Sequence, residues 1–317
     1  MPPKKKVKTS EPTPMASLDE SMNAEWQDTI VSREGLGAWS YSKKKTLQQC
    51  PLKFFLSYIL KWKVPRIVDG SLPVTDIGSA LHLILEHVTV GKSITDSYKI
   101  AKRKHFDAVG EEFWEQYVVG NEYNIVAFRQ RLDDFERRNP VKRYLCEIRM
   151  AVDKDWEPTD FFANNVFYRG VVDLLIQLEN GDGLIIDHKS VLNSNGFLSV
   201  KNFKEQLEVY KPLIHHGLVK MRGAQSGIHF IADGEVKFDD YSTAEMIEGR
   251  LRHMVEYNVD SAIENVKELG YFKRKAGGHC RWCDYRQMCK DKENTEHPRF
   301  RQLEKDSAMV FIPALNV

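Results

Sequence analysis

The sequence has no long apolar run. No stretch reaches the ~20 consecutive apolar residues a membrane-spanning helix requires, and no leader of basic, apolar and small residues opens it. We therefore expect a soluble, intracellular protein. Net charge is also nearly absent, because 46 Lys and Arg stand against 45 Asp and Glu. That balance excludes the uniformly positive field of small nucleic-acid-coating proteins. Any contact with a polyanion would use local runs such as Lys43 to Lys45, Lys61 with Lys63 and Arg66, Lys102 to Lys104, or Lys273 to Lys275; the plainer reading of each is a solvated surface run. There is no internal repeat and no phosphate-binding Walker loop, since Gly91-Lys92-Ser93 has Glu86 where the first glycine would stand. No ATP-driven motor is read from this sequence. Cysteine is scarce and odd in number, at five, which argues against a disulfide framework. Three of the five crowd into one short C-terminal segment, a pattern suited to a metal or cluster.

Met1 to about Asn23 is rich in Pro, Lys, Ser and Glu and poor in aromatics, so it cannot bury enough surface to order itself. We expect a disordered tail through residue 37. Within it, Pro3 to Lys8 has the form of a nuclear-localisation run, and equally of a nonspecific DNA-binding arm. Order is expected from about Ala38, with Ser40 or Ser42 capping a helix and Pro51 opening an aromatic-rich turn whose Phe54, Phe55 and Tyr58 are core. Helical periodicity follows over about 75–90 and, in a charged insert, over about 95–138; strand periodicity takes over at 142–152 and 167–178. Glu179-Asn180-Gly181-Asp182-Gly183 reads as a hairpin turn returning into a strand over 184–189. A helix over 202–218, a strand over 226–232 and a last helix over about 243–269 complete the pattern.

Two acidic residues interrupt otherwise apolar strands: Asp173 in Gly170-Val171-Val172-Asp173-Leu174, and Asp187 in Ile185-Ile186-Asp187-His188-Lys189. Burying a charge in this way is costly unless something compensates it. Strand alternation puts Asp187 and Lys189 on one face, and Asp173 can join them from the adjacent strand. Such a set offers hard oxygen ligands for Mg²⁺ or Mn²⁺, with a lysine placed to orient or deprotonate water. The bland alternative is a structural Asp187–Lys189 salt bridge. Gly78, His82 and Glu86 share a helix face at spacing four, as do Gln206 and Tyr210. His82 could complete a metal shell, although a histidine on an amphipathic helix is more often just packed.

The ordered set Gly78-x-x-x-His82, Gly170-Val171-Val172-Asp173, Ile185-Ile186-Asp187-His188-Lys189 and Gln206-x-x-x-Tyr210 resembles the RecB-like PD-(D/E)XK nucleases. The resemblance implies that His82, Asp173 and Asp187 bind the metal with help from the His188 main-chain carbonyl. It also implies that Lys189 is the catalytic lysine and that Gln206 and Tyr210 position the lysine or DNA. Ile186 replaces the proline of the family's name. Glu147, on the preceding strand, reads as an outer acid or as a core-edge residue.

Cys280-x2-Cys283-x5-Cys289 leaves a tetrahedral or cubane site one ligand short. Cys50, in Cys50-Pro51-Leu52-Lys53-Phe54-Phe55, can supply the fourth. The pairing resembles the iron–sulfur branch of the same nucleases, which includes AddB nuclease domains and CRISPR-associated RecB-like exonucleases, with phage-encoded members conceivable. A [4Fe–4S] cluster would then clasp the two ends of the chain. Zinc is the rival, with His279 or His297 as fourth ligand. Cys146 reads as a core residue.

We therefore expect an α/β restriction-endonuclease-like core over 38–291, a mixed sheet flanked by helices, with the insert at 95–138 and an extension at 292–317. The resemblance implies a metal-dependent DNA exonuclease acting on single-stranded ends in recombination, repair or processing. Its expected setting is the cytoplasm of a bacterial or phage-infected cell, with a helicase or a recombination or annealing protein as partner. The rivals are a noncatalytic DNA-binding adaptor and a zinc-stabilised nuclease acting on RNA.

Overall fold

Ser40 starts the first helix by accepting a hydrogen bond from the Lys43 N–H, 3.2 Å away. The computed structural model describes residues 36–59, 61, 72–190, 203–268, 274–286 and 289. The expected tail before Leu36, the residues Lys63, Arg66, Lys273 and His297, and the extension at 292–317 lie outside the described residues. Helix α1 (Tyr41–Gln49) ends at Cys50, which caps α2 (Pro51–Phe54) with Pro51 in the first turn, and the chain runs on as a π-helical turn, Phe55–Ile59. Helix α3 (Val74–Thr89) carries the apolar stripe Ile77, Leu81, Ile84 and Leu85, all fully buried. At ~1.5–3 kcal/mol per buried side chain, that stripe contributes on the order of 6–12 kcal/mol of gross apolar stabilisation. The charged insert folds as α4 (Ile94–Val109), three short helical turns (Glu111–Phe113, Trp114–Val118 and Val119–Asn121), and α5 (Glu122–Arg138).

The central sheet contains β1 (Val141–Val152), β2 (Tyr168–Leu178), β3 (Asp182–Lys189), β4 (Gly223–Phe230), β5 (Glu235–Phe238) and β6 (Ser242–Thr243). Strands β1 to β5 lie in sequence order and β6 pairs with β4. All pairs are antiparallel except β3 with β4, which α6 (Lys204–Gly217) connects as a crossover. The β2–β3 hairpin turns at Gly181, whose φ of 87° suits glycine. A short helical lead-in and α7 (Arg252–Glu268) follow β6. Helix α6 covers one sheet face in a core with Trp39, Phe54, Tyr168, Leu175 and Ile185, while α3 and α5 cover the other with Leu174, Ile176 and Ile186. Among the described residues, no helix is long and apolar enough to cross a membrane.

The expected elements are present within a few residues; β5 and β6 were not anticipated, being too short to show periodicity. One surface expectation is corrected. Lys43 and Lys44 are buried, at 8% and 4% exposure, so the run through Lys45 is not a solvated basic patch. Lys43 Nζ donates to the Leu36 and Ala38 carbonyls and lies over the rings of Trp39, Phe54 and Tyr58. Burial, then the charges of Arg169 and Lys61, hold its ammonium down at about 8. Lys44 pairs with Glu205 of α6. Lys102, Arg103 and Lys104 do stand exposed on α4.

Candidate active site

The site forms where regular pairing stops. The β2–β3 register runs from Gln177–Gly183 to Leu174–Ile186. Beyond it the Asp173 carboxylate accepts the His188 N–H at 2.7 Å, in place of a strand carbonyl. Across β1, Glu147 falls between the pairs Cys146–Leu174 and Ile148–Val172, so it stands opposite Asp173. Its φ is 49°, left-handed for a non-glycine residue, a strain that persists only where surrounding structure enforces it. The strand's facing is reset there: Leu145 and Met150 both join the α6-side core, whereas Cys146 packs on the opposite side. In β2 the same reset separates Val172 and Leu175 from Leu174.

His82 arrives from α3. Its Nδ1 lies 3.5 Å from Glu147 Oε1 and 3.7 Å from Asp173 Oδ2. Among the described residues, His82, Glu147 and Asp173 bring their ligand atoms within 4.8 Å of one another, a spacing suited to one ion. Gly78, one turn before His82, keeps α3 close to the end of β3, since a Cβ there would meet Ser190 Oγ at 3.0 Å. Asp187 sits just beside this trio. Its Oδ1 accepts from Gln206 Nε2 at 2.9 Å, and Lys189 Nζ lies 2.5 Å from its Oδ2 in an ion pair.

Helix α6 supplies the rest. Gln206 donates to Tyr210 Oη at 2.7 Å and accepts from Lys189 Nζ at 3.4 Å, while the ammonium lies 5.0 Å from the Phe203 ring centroid. Gly170 explains how α6 comes so near, because a Cβ there would meet Leu213 Cδ2 at 2.9 Å. His188 turns its ring into the core, 2.9 Å Nδ1 to Nδ1 from His229 and edge-on to Phe128, a placement that leaves the role expected of its main-chain carbonyl untouched. Burial, then His229, keeps the His188 ring neutral, well below the usual imidazole range.

Electrostatics follow from this crowding. Burial, then the charge of Asp187, pushes the Asp173 carboxyl up. Burial also raises Asp187, although Lys189 and His82 pull the other way. For His82, burial opposes the charged form, but the hydrogen bond to Glu147 and the charges of Asp173, Glu147 and Asp187 outweigh it, so the imidazole is raised. Asp173 and Asp187, buried close together and held against their ionised form, would be relieved by a cation between them. The donor set of three carboxylates and an imidazole fits a hard divalent ion. All four residues that carried the sequence reading, His82, Asp173, Asp187 and Lys189, are thus brought together. Glu147 is promoted from an outer acid to a partner of His82 and Asp173. Its signal was weak because a glutamate one residue from a cysteine in an edge strand looks like any exposed strand residue.

The cysteines are arranged differently. Cys50 Sγ accepts the Lys53 N–H at 3.5 Å and Cys280 Sγ accepts the Gly277 N–H at 3.4 Å. The segment 274–286 docks on α1 and on the π-helical turn after α2, with Lys275 Nζ donating to Gln48 O at 3.1 Å and Ser57 Oγ to Tyr285 Oη at 3.2 Å. Burial raises the Cys283 and Cys289 thiols, and Cys50 raises both further. The thiols do not, however, form a close group: among the described residues only the His82 trio meets single-ion spacing. Cys146 is half-buried against the α3-side core.

A mixed sheet with buried carboxylates at the broken end of a hairpin, a lysine two residues on and a glutamine from the crossover helix define a metal-dependent phosphodiesterase centre. Over residues 38–290 the sequence matches the PD-(D/E)XK nuclease superfamily, and the chain belongs to it. Members of that superfamily are divalent-metal nucleases. No curated protein matches the chain. Among solved structures it is similar to a "Putative exonuclease" from Eubacterium rectale, at 14% identity and a TM-score of 0.45, covering 84% of this chain and 93% of that one. It is also similar to SSO0001, at 12% identity and a TM-score of 0.30, covering 69% of this chain and 93% of that one. Family membership rests on the sequence match; neither structural likeness reaches far enough to carry activity across.

Proposed function

We propose that the chain is a RecB-like, divalent-metal-dependent DNA exonuclease working on single-stranded ends. The observation that supports this reading is the convergence of His82, Glu147 and Asp173, with the Asp187–Lys189 pair beside them. His82, Glu147, Asp173 and Asp187 would hold Mg²⁺ or Mn²⁺. Such an ion, when bound, supplies Lewis-acid charge to the phosphoryl oxygens and lowers the pKa of water. The chain's own groups do the positioning. Asp187 and Gln206 hold the Lys189 ammonium in place, where it can orient the attacking water and offset phosphate charge. Gln206 is fixed in turn by Tyr210, whose hydroxyl burial keeps protonated.

The exonuclease mode, the DNA substrate and the RecB-like branch extend the resemblance stated for the motifs. Asp187→Ala tests the reading directly. End-labelled single-stranded DNA incubated with Mg²⁺ or Mn²⁺ should be degraded by the wild type and left intact by the variant, a loss on the order of a thousandfold, equivalent to several kcal/mol of charge stabilisation. Cleavage at the wild-type rate would sink the assignment. Labelled RNA ends run alongside decide between the two nucleic acids.

For the cysteines we retain a [4Fe–4S] cluster held by Cys50, Cys280, Cys283 and Cys289. It is supported by the docking of 274–286 on α1 and on the turn after α2, which brings the C-terminal cysteine segment to the neighbourhood of Cys50. A cubane keeps its thiolates farther apart than one zinc ion does. Protein purified without oxygen should be brown with broad absorbance near the blue, and Cys50→Ser should be colourless; a colourless wild type containing stoichiometric zinc would overturn the cluster.

A further inference from the structure

Phe162 is 74% exposed, at the tip of the loop that joins β1 to β2. An aromatic ring of that size left in water costs apolar stabilisation unless something covers it. Phe161 lies beside it with ring centroids 5.0 Å apart at 81°. Two arginines from the adjoining strands face the pair. Arg149 Cζ lies 5.9 Å from the Phe161 ring and 6.0 Å from Phe162; Arg169 Cζ lies 5.0 Å and 5.8 Å from the same rings. Arg169 also donates to Phe161 O at 3.0 Å, which ties the loop down. That anchor needs only Arg169 and Phe161, so exposed Arg149 and exposed Phe162 are left over. Among the described residues no carboxylate forms an ion pair with either guanidinium.

Position gives the leftover pair a use. Arg149 stands two residues beyond Glu147 on β1, roughly 7 Å along the strand at ~3.3 Å per residue, and its register partner Val171 is two residues before Asp173. Gly170 faces α6, so its neighbour Arg169 points to the opposite side of the sheet, where the facing of β1 has been reset at Glu147. The aromatic and guanidinium cluster is therefore continuous with the acid site along the same two strands. A ring offers a stacking surface to any base, and a nearby unpaired guanidinium offers charge to the adjoining phosphate. A paired base in a duplex has no free face to offer.

Resting on the nuclease reading, we propose that Phe162, with Arg149 and Arg169, forms a subsite for an unpaired nucleotide of the single-stranded substrate next to the acid cluster. Phe162 stacks on the base and Arg149 holds the phosphate.

The test is binding of a fluorescein-labelled deoxythymidine oligonucleotide to the full chain in EDTA, read by anisotropy. Phe162→Ala should weaken binding by roughly tenfold and Phe162→Trp should preserve it. Arg149→Gln should reduce the slope of log affinity against log salt by about 0.7, the share of one single-strand phosphate. With Mn²⁺ present, the loss in Phe162→Ala cleavage should fall on KM more than on kcat. Unchanged affinity and salt slope in these variants would overturn the subsite, as would an equal loss for a duplex of the same length. Both residues are exposed, so folding is not at stake, and matched melting curves check this. If the wild type cleaves but the variants bind normally, only the subsite fails. If the variants lose binding while the wild type cleaves nothing, only the nuclease reading fails.

Discussion

At the scale of single residues, the acid cluster is a balance between burial and charge. Asp173 and Asp187 have carboxyls raised by burial. A group whose folded pKa is raised gives its full stabilisation below the unfolded value and loses it as pH climbs through the folded one. The metal-free protein should therefore lose thermal stability as pH rises from the ordinary carboxylate range toward neutrality. Mn²⁺ binds the ionised form, so its affinity should rise over the same window with release of protons. Melting temperatures against pH, with and without Mn²⁺, check both directions; metal-free stability that increases toward neutral pH would contradict them. Lys189 acts on the nucleophile rather than on the ion. Lys189→Met should lower kcat by roughly a hundredfold or more while leaving Mn²⁺ affinity within a few-fold of the wild type, measured by calorimetry beside the cleavage assay.

At the scale of elements, the site depends on how closely α6 lies on β2. Gly170 makes that approach possible, with Leu213 Cδ2 2.9 Å from where a Cβ would be. Gly170→Ala should cost about 1–3 kcal/mol of stability through overpacking, and it should lower activity further by displacing Gln206 and Tyr210. Denaturant unfolding and the cleavage assay measure the two effects separately. Much of this layer was legible in the sequence. The apolar stripe of α3, the hairpin at Gly181 and the Asp187–Lys189 alternation follow from side-chain period and turn chemistry alone. The inversion at Glu147 was not, because a left-handed residue in a strand is imposed by the tertiary surroundings and leaves no periodicity behind. Nor was the burial of Lys43 and Lys44: in the sequence they form part of a basic run, and only the carbonyls of Leu36 and Ala38, the aromatic rings and Glu205 reveal why their charges point inward.

For the whole molecule, the motif residues come from places far apart in the chain, and the sheet is what unites them. His82 precedes Lys189 by the full length of the helical insert and the hairpin, so their proximity could be inferred only from the resemblance and not from local pattern. The terminal clasp is the same kind of long-range feature. If Cys50 helps to fasten 274–289, Cys50→Ser should expose that segment to limited proteolysis well before the sheet is cut; equal protection in both proteins would argue that the side-chain contacts at Lys275 and Tyr285 suffice. The central claim remains that His82, Glu147 and Asp173, with Asp187 beside them, serve one ion, Glu147 having been expected only as an outer acid or a core-edge residue. Its most direct measurement is cleavage of end-labelled single-stranded DNA as a function of Mn²⁺ concentration in the wild type and in Glu147→Gln. The half-saturating Mn²⁺ concentration should rise at least about tenfold in the variant; an identical Mn²⁺ dependence, or wild-type cleavage that persists in EDTA, would contradict the metal centre described above.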